Sequence, residues 1–281
     1  MYAGRLDELQ ALGDDAADQA QKLGHRGAWL LHDLARLYGS WARTGNLEVL
    51  VSDSRHVIDA WAAVGPWGGF AELGLAFGLM WRGDWEGALA RVENMDANAL
   101  PWCADFTRGG ELLVRAYAEP STAMSCFQQN EARLPDSVWA ASLFMTAWTV
   151  EALAVGGERD KAAALYPVLT DIIDDGFAVT WAGLTQTYAG IAAAAGRRWD
   201  DAERHFETAL TQAHDMPFVL AQPDTRRWYA WMLIDRNGPG NRNEPGNRDK
   251  AAGLLKEAIG MYGEIGMPTY VELAEKLMAQ T

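Results

Sequence analysis

One short pattern recurs along this chain and constrains its fold more than any other feature. A turn at Gly83-Asp84 ends an apolar run, and in the next run a small residue, Ala88, precedes a large one, Val92, by one helical turn. This order is typical of two antiparallel helices that cross so closely that only alanine fits at the contact. The pattern therefore predicts a helical hairpin.

The same pair of positions occurs five times in phase. The pairs are Ala88/Val92, Ala123/Phe127, Ala162/Tyr166, Ala202/Phe206 and Ala251/Leu255. Successive marker alanines are 35, 39, 40 and 49 residues apart, close to the roughly 34 to 47 residues of helical-hairpin repeats. The last interval is longer because it carries a glycine- and proline-rich insertion, residues 238–247, and a degenerate earlier copy lies at residues 45–50. Since one hairpin cannot bury its own apolar face, the series predicts an all-α solenoid of stacked antiparallel hairpins.

Apolar residues at helical spacing place the individual helices. Helices are predicted over residues 6–23, 29–43, 47–64, 70–81, 85–95, 102–118, 121–133, 137–155, 159–174, 177–195, 199–214, 225–235, 248–265 and 269–279. No sustained two-residue alternation indicates a strand. We expect a single domain over residues 1–281, with an N-terminal helix in 1–27, repeats over 28–266 and a capping helix in 267–281.

The stretch Gly83-Asp84-Trp85-Glu86-x-Ala88-Leu89, the Ala-x-x-x-Phe pairs and the period resemble divergent tetratricopeptide repeats. The end of the chain, residues 249–268, is similar to the ends of tetratricopeptide-like regions that follow bacterial class III adenylate and guanylate cyclases and large ATPase-coupled transcriptional regulators. The resemblance implies about six repeats. It also implies a regulatory or sensory role.

Charge and composition exclude several classes of partner. Asp and Glu outnumber Lys and Arg by 38 to 24, which gives a formal charge of −14. Nucleic acids and anionic lipids require a basic surface, so we expect neither as a partner, and a charged protein partner would be basic.

No stretch approaches the roughly 18 apolar residues of a membrane span, and residues 1–10 lack the apolar segment of a signal peptide, so we expect a cytoplasmic protein. Cys103 and Cys126 are interpreted as small buried residues rather than a disulfide or metal site.

No motif for catalysis, metal binding or cofactor binding is present in the sequence. The five histidines lack His-Glu-x-x-His or similar metal-ligand spacing, and there is no nucleophile elbow, P-loop or dinucleotide fingerprint. Adjacent acids such as Asp200-Asp201 fit the first turn of a helix, where the helix dipole favours negative charge. We therefore expect no catalytic residues, no metal, no cofactor and no enzyme activity.

The chain contains 13 tryptophans, spread over nearly every predicted hairpin. Large core side chains that bridge neighbouring hairpins are the simpler interpretation. An aromatic pocket for a small molecule remains the alternative, because indole groups on a concave surface suit such a ligand.

The resemblance implies that the first helix of each hairpin faces the concave side and supplies the ligand-binding residues. Counting back from the marker alanines gives a candidate wall of Phe70, Leu73, Phe77, Asp105, Arg108, Arg115, Phe144 and Glu151. Arg108 and Arg115 lie two helical turns apart and could together hold a carboxylate. The alternative for them is a solvated pair on the surface.

Three functional hypotheses follow. The first is a non-catalytic scaffold whose concave face binds a protein or peptide, or another domain of its parent protein. The second is a small-molecule sensor with a tryptophan-rich enclosed pocket. The third, an enzyme on a helical-repeat scaffold, has no support from residue spacing. A cavity that contains several indoles would favour the second hypothesis over the first.

Overall fold

The computed structural model describes residues 5–24, 26–62, 69–95, 104–131, 140–216, 218–238 and 246–281. Within these ranges the chain is helical, with short connections and a single isolated antiparallel bridge between Val179 and Leu184. The predicted all-α class is therefore confirmed. In chain order the helices are α1 (Leu6–Leu23), α2 (Arg26–Thr44), α3 (Leu47–Trp61), α4 (Gly69–Trp81), α5 (Trp85–Asn94), α6 (Ala104–Ala118), α7 (Pro120–Asn130), α8 (Ala140–Val155), α9 (Arg159–Ala164), α10 (Tyr166–Asp174), α11 (Thr185–Ala195), α12 (Trp199–Asp215), α13 (Ala221–Arg236), α14 (Asn247–Ile265) and α15 (Pro268–Met278).

The turns between paired helices are formed by local side-chain chemistry. Gly83 adopts a left-handed φ of 84°, which costs glycine little, and leads into α5. The Asp84 side chain then accepts a hydrogen bond from the Gly87 amide at 2.9 Å and so caps α5. All ten residues of the five marker pairs are buried, none with more than 8% exposure. These positions are the close contacts between helices that the sequence pattern predicts.

One predicted helix, over residues 159–174, is divided in two. α9 ends at Ala164 and α10 begins at Tyr166, with Leu165 between them in a non-ideal conformation of φ −86° and ψ −4°. Pro167 has no amide hydrogen to donate to a residue one turn earlier, which favours a new helix start at this point.

A larger difference concerns residues 177–184, which the hydrophobic pattern placed in a helix that continues to Ala195. The helix α11 instead begins at Thr185, and the preceding residues form a compact buried loop. The loop closes on itself, because the Thr180 amide donates to the Gly183 carbonyl at 2.8 Å and the Thr185 amide donates to the Ala178 carbonyl at 3.0 Å. We call residues 177–184 the plug loop.

Six helices contact one another in a closed cycle. The cycle is α4 with α6, α6 with α8, α8 with α11, α11 with α13, α13 with α15, and α15 with α4. A Cβ atom added at Gly83, just after α4, would lie 2.9 Å from the Thr269 hydroxyl oxygen of α15. The Val219 amide also donates to the Ala42 carbonyl at 2.8 Å, which joins α2 to the segment before α13. The C-terminal helix, expected to cap the last hairpin, contacts α14 and also closes a ring with α13 and α4.

The plug loop fills one end of this ring. The Tyr38 hydroxyl donates to the Thr180 carbonyl at 2.8 Å. The indole of Trp181 packs against Tyr38 and Phe106, with ring centroids 5.7 and 5.9 Å apart. Trp181 is almost fully buried, so the loop occupies this end of the ring among the described residues.

Two sequence expectations lie partly outside the described residues. Of the two cysteines, Cys126 is buried, and Cys103 is outside the described ranges. Most of the insertion at 238–247 is also outside them. Among the helices that the structure describes, none has the length and apolar character needed to cross a membrane.

Candidate functional site

A cluster of ionisable side chains lies inside the ring, and Arg227 of α13 is at its centre. The Arg227 Nε donates to the Tyr262 hydroxyl at 3.1 Å, and its Nη2 donates to the Tyr117 hydroxyl at 3.0 Å. The same Nη2 lies 3.4 Å from Oε1 of Glu151 and 3.5 Å from Oδ1 of Asp224. We call these five residues the Arg227 cluster. It joins α6, α8, α13 and α14.

Each phenol of the cluster links the guanidinium to one carboxyl. The Tyr117 hydroxyl donates to Glu151 at 2.6 Å, and the Tyr262 hydroxyl donates to Asp224. The guanidinium also lies against two aromatic rings, 4.5 Å from the centroid of Trp228 and 5.6 Å from that of Tyr270. Hydrogen bonds and cation–π contacts of this kind compensate for removing the charges from water.

The cluster contains one cation and two carboxyl groups, and all three are buried. Burial and the negative charge of Asp224 raise the pKa of Glu151 to about 7, although Arg227 acts against the shift. Burial likewise raises the pKa of Asp224, and Arg227 again opposes the rise. Burial disfavours the charge on Arg227, yet the surrounding phenols and carboxyls hold its pKa well above its ordinary range. The cluster can therefore gain or lose a proton near neutral pH.

A cleft of about 240 Å³ opens beside the cluster, between α6, α8, α13 and α15. Its lining is mainly aromatic and aliphatic, with Arg227 among its buried residues and two exposed polar residues at the rim. The lining residues are Tyr117, Ala154, Val155, Arg227, Trp228, Trp231, Leu273, Lys276, Leu277 and Gln280. Trp228 and Trp231 stand nearly perpendicular, at 87°, with their rings 5.3 Å apart.

The cleft and the plug loop lie at different ends of the ring. Phe106 contacts the plug loop, whereas Tyr117 lines the cleft, and both belong to α6. Eleven residues of helix separate them, which corresponds to roughly 16 Å along the axis. One end of the ring is therefore filled by the chain itself, and the other end carries the cleft.

The apolar residues of the predicted concave wall whose side chains the structure describes do not form an accessible surface. Leu73, Phe77 and Phe144 are core residues with at most 2% exposure, so a ligand cannot reach them in this structure. The physical reason is that the ring is closed and its inner helices pack on one another and on the plug loop. The side chain of Phe70, the remaining apolar residue of the wall, is not among those that the structure describes.

The two predicted arginines do not converge on a common ligand position. Arg108 lies 3.7 Å from Asp105 of its own helix, α6. Arg115 is surrounded by three carboxylates, those of Glu111 at 2.9 Å, Glu93 at 3.3 Å and Glu119 at 3.5 Å. A carboxylate ligand at Arg115 would have to displace these groups.

Glu151 is the one predicted wall residue that belongs to the Arg227 cluster. Counting along the repeats found it, but gave no reason to select Asp224, Arg227, Tyr117 or Tyr262. The sequence did contain one signal. Asp224 and Arg227 are three residues apart and precede Trp228, in a segment that the repeat pattern assigns to an inner helix. Opposite charges at this spacing on a buried aromatic face indicate a buried ion pair.

A second buried polar group surrounds His205 on α12. Its Nε2 lies 3.0 Å from the Tyr166 hydroxyl, and its Nδ1 lies 2.6 Å from Oε1 of Gln186. Burial lowers the pKa of His205 to about 4, so the ring is neutral at physiological pH. Among the described residues no three His, Cys, Asp or Glu side chains are grouped as metal ligands would be. We interpret this group as structural.

The Arg227 cluster and the adjoining cleft are the candidate functional site of this chain. These features combine buried charge, a carboxyl group whose pKa is raised to about 7, and a concave aromatic surface open to solvent. No protein-family model, curated protein or solved structure matches the chain.

Proposed function

We propose that this chain is a non-catalytic binding module whose ligand is a small molecule held in the cleft between α8, α13 and α15. The observation that carries the proposal is a concave, mainly apolar cleft that contains two indoles and has a buried guanidinium among its lining residues. Ligand sites usually combine an apolar lining with a few well-placed polar groups. The cleft, at about 240 Å³, is smaller than the roughly 300–1,000 Å³ of typical ligand pockets. A ligand smaller than most drugs is therefore the best fit.

The closed ring also favours this proposal over a peptide lying along stacked helices. Such a peptide needs an open row of first helices, whereas the plug loop occupies one end of the ring and α15 joins α13 to α4. A ligand in the cleft would contact α8, α13 and α15 together. Because it would bind only the closed arrangement, it would stabilise the ring by mass action. This coupling suits a regulatory module, in line with the resemblance to regulatory repeat regions.

Thermal shift and tryptophan fluorescence with a panel of small aromatic and aliphatic compounds test the proposal. The variant Ala154→Phe adds a large side chain to the lining of the cleft without altering the Arg227 cluster. Ala90→Phe makes the same change at an exposed position of α5 and serves as the matched control. We expect at least one compound to stabilise the unmodified protein and Ala90→Phe, but not Ala154→Phe. No stabilising compound, or an equal response from Ala154→Phe, would contradict the proposal.

A scaffold for a protein partner is the second candidate, and a separate surface favours it. Leu12 and Leu23 of α1 and Trp29 of α2 are exposed by 69%, 77% and 40%. Leu12 and Leu23 lie on one face of α1, since eleven residues are close to three helical turns. The neighbouring Asp14 and Asp15 are exposed and acidic, so a partner segment would be apolar and basic.

Basic amphipathic peptides added to the unmodified protein and to Leu12→Ser/Leu23→Ser test this second candidate. Binding that the double variant abolishes would support it. Binding that is unchanged in the double variant would place the peptide elsewhere and reject this surface.

A further inference from the structure

The proposed function leaves the chemistry of the ligand open, and the following inference rests on that proposal. We propose that the cleft binds a carboxylate attached to a small flat apolar group, that the carboxylate meets Nη1 of Arg227, and that Glu151 takes up one proton on binding.

The hydrogen bonds of Arg227 leave one nitrogen of the guanidinium unused. Nε and Nη2 donate to the phenols and carboxyls of the cluster, and among the described residues no hydrogen-bond partner is found for Nη1. The side chain is only 5% exposed, yet it lines the cleft. A guanidinium that is mostly removed from water and still reachable from a cleft is a strong hydrogen-bond donor for a planar anion.

The walls of the cleft determine the rest of the ligand. Trp228 and Trp231 meet edge to face and provide an aromatic surface, and Leu273 and Leu277 of α15 provide aliphatic contacts. A flat apolar group can contact both surfaces while its carboxylate reaches Arg227. Lys276 at the rim adds a positive charge on the path into the cleft. It would partly offset the repulsion that a protein of formal charge −14 exerts on an approaching anion.

The charge of the cluster favours a carboxylate over a phosphate. Glu151 and Asp224 already lie 3.4 and 3.5 Å from Nη2 of Arg227. A phosphate monoester would bring about −1.5 to −2 charges to this position, whereas a carboxylate brings one. Because the cluster contains a single cation, a carboxylate is repelled less by Glu151 and Asp224 than a phosphate would be.

Proton uptake follows from competition for the same cation. Four side chains shift the pKa of Glu151, namely Tyr117 of α6 and Asp224, Arg227 and Trp228 of α13. The charge of Glu151 in turn raises the pKa of two phenols, those of Tyr188 in α11 and Tyr270 in α15. Arg227 is the one cation in this set. A bound carboxylate would share the charge of Arg227, so Glu151 would hold its proton more tightly. Because burial and Asp224 already raise the pKa of Glu151 to about 7, the uptake would occur between pH 6 and 8.

Isothermal titration calorimetry of the full chain tests both parts of the inference. The probes are phenylacetate, indole-3-acetate and, as a neutral match, phenylacetamide, each titrated at pH 6 and pH 8 in two buffers of different ionisation enthalpy. We expect at least one carboxylate to bind and the amide to bind far more weakly. The buffer dependence should report uptake of up to one proton, and Kd should rise about tenfold from pH 6 to pH 8.

Two variants and one control separate a ligand effect from loss of folding. Substituting Arg227 would leave two buried carboxyls without a cation and could unfold the protein, so the test uses other positions. Glu151→Gln keeps a hydrogen-bond acceptor for Tyr117 but cannot take up the proton. It should bind the carboxylate with nearly the same Kd at pH 6 and pH 8 and without proton uptake. Ala154→Phe should lose binding, and Ala90→Phe should retain it.

The outcomes distinguish this inference from the proposed function on which it rests. Suppose that neutral compounds bind, that Ala154→Phe abolishes this binding, and that the carboxylates do not bind. The proposed ligand chemistry is then wrong, and the small-molecule function stands. If carboxylates bind without pH dependence, or if Glu151→Gln keeps that dependence, the coupled proton is wrong. Tighter binding of a peptide that ends in a free Phe carboxylate would overturn the small-molecule assignment. If no compound of any class binds, both proposals fail.

Discussion

The turn and close contact that connect two paired helices, here called a joint, are built differently from the interior of the ring. At a joint, such as that of Asp84, Ala88 and Val92, every residue needed lies within about ten positions, and each acts through a local rule of capping or close packing. In the interior, Tyr117 bonds Arg227 across 110 residues and Tyr38 bonds Thr180 across 142. Joints can therefore be predicted from the sequence, whereas the interior depends on how distant segments are brought together.

The two regions also differ in what a single substitution should do. The contact at a joint is made by apolar side chains such as Ala88 and Val92, so a substitution there uncovers no buried charge and damage should remain limited. The Arg227 cluster balances one cation against two carboxyls, so removing one member leaves the others buried without compensation. This difference leads to four predictions.

The largest effect is expected from Arg227→Met, which preserves the volume of the side chain but removes its charge. The change leaves Glu151 and Asp224 buried without a cation, and breaking a buried ion pair in this way costs about 3–5 kcal/mol. Urea unfolding followed by circular dichroism measures the loss. The matched control is Arg226→Met, because Arg226 pairs with the exposed Glu257 at 2.7 Å, and such surface pairs contribute roughly 0–1 kcal/mol. Equal losses from the two variants would contradict a special role for the cluster.

The next largest effect is expected at a joint. Ala202 is fully buried where α11 and α12 pack together, so Ala202→Leu should overpack the contact. Overpacking of this kind costs about 1–3 kcal/mol, and thermal unfolding should report it. Ala164→Leu, on an exposed face of α9, is the control and should change the melting temperature little. A neutral result for Ala202→Leu would mean that the helices can separate at the joint.

A third prediction concerns pH. The pKa of Glu151 in the folded protein, about 7, lies above the ordinary value of 4.5. Its contribution to stability is therefore fully present below pH 4.5 and is lost as the pH rises toward 7. Relative to Glu151→Gln, the unmodified protein should lose up to about 1.4 kcal/mol of unfolding free energy per pH unit in this window.

The measurement for this prediction is urea unfolding of both proteins at several values between pH 5 and pH 8. His205 acts in the opposite direction, because its lowered pKa of about 4 makes the folded protein less stable as the pH falls below 6.5. Taking the difference between the two proteins removes this contribution. A difference that does not change between pH 5 and pH 8 would show that folding does not raise the pKa of Glu151.

The smallest effect is expected from Asp84→Ala at the start of α5. The substitution removes the hydrogen bond from the Gly87 amide to the Asp84 side chain. Loss of such a cap costs about 1 kcal/mol, and the melting temperature should fall slightly with ligand binding unchanged. A loss as large as that of Arg227→Met would mean that this turn also supports the ring closure near Thr269.

These comparisons show why the sequence predicted some features and not others. The repeating alanines and turn residues identify most helices, because each signal acts over one or two helical turns. The plug loop was assigned to a helix because Phe177, Val179, Trp181 and Leu184 form an apolar run that continues the helical pattern. Burial against Tyr38 and Phe106 favoured the loop instead, and no local signal reports such long-range packing.

The candidate site shows the same limit. Glu151 was found because it occupies a repeat position, but its role could not be assigned from that position alone. The partners of Glu151 come from α6 and α13, and only ring closure brings Tyr117 and Arg227 together. Conversely, Leu73 and Phe77 occupy repeat positions that would face a groove in an open solenoid, and closure makes them core residues.

Hydrogen–deuterium exchange of the plug loop tests the closed, filled ring most directly. The account predicts that the amides of Thr180 and Thr185, which bond the Gly183 and Ala178 carbonyls inside the ring, exchange as slowly as the amides of α11. Exchange as fast as that of the exposed turn at residues 156–158 would contradict it. Such a result would mean that the ring is open in solution, and the first helices would again be candidates for a peptide-binding groove.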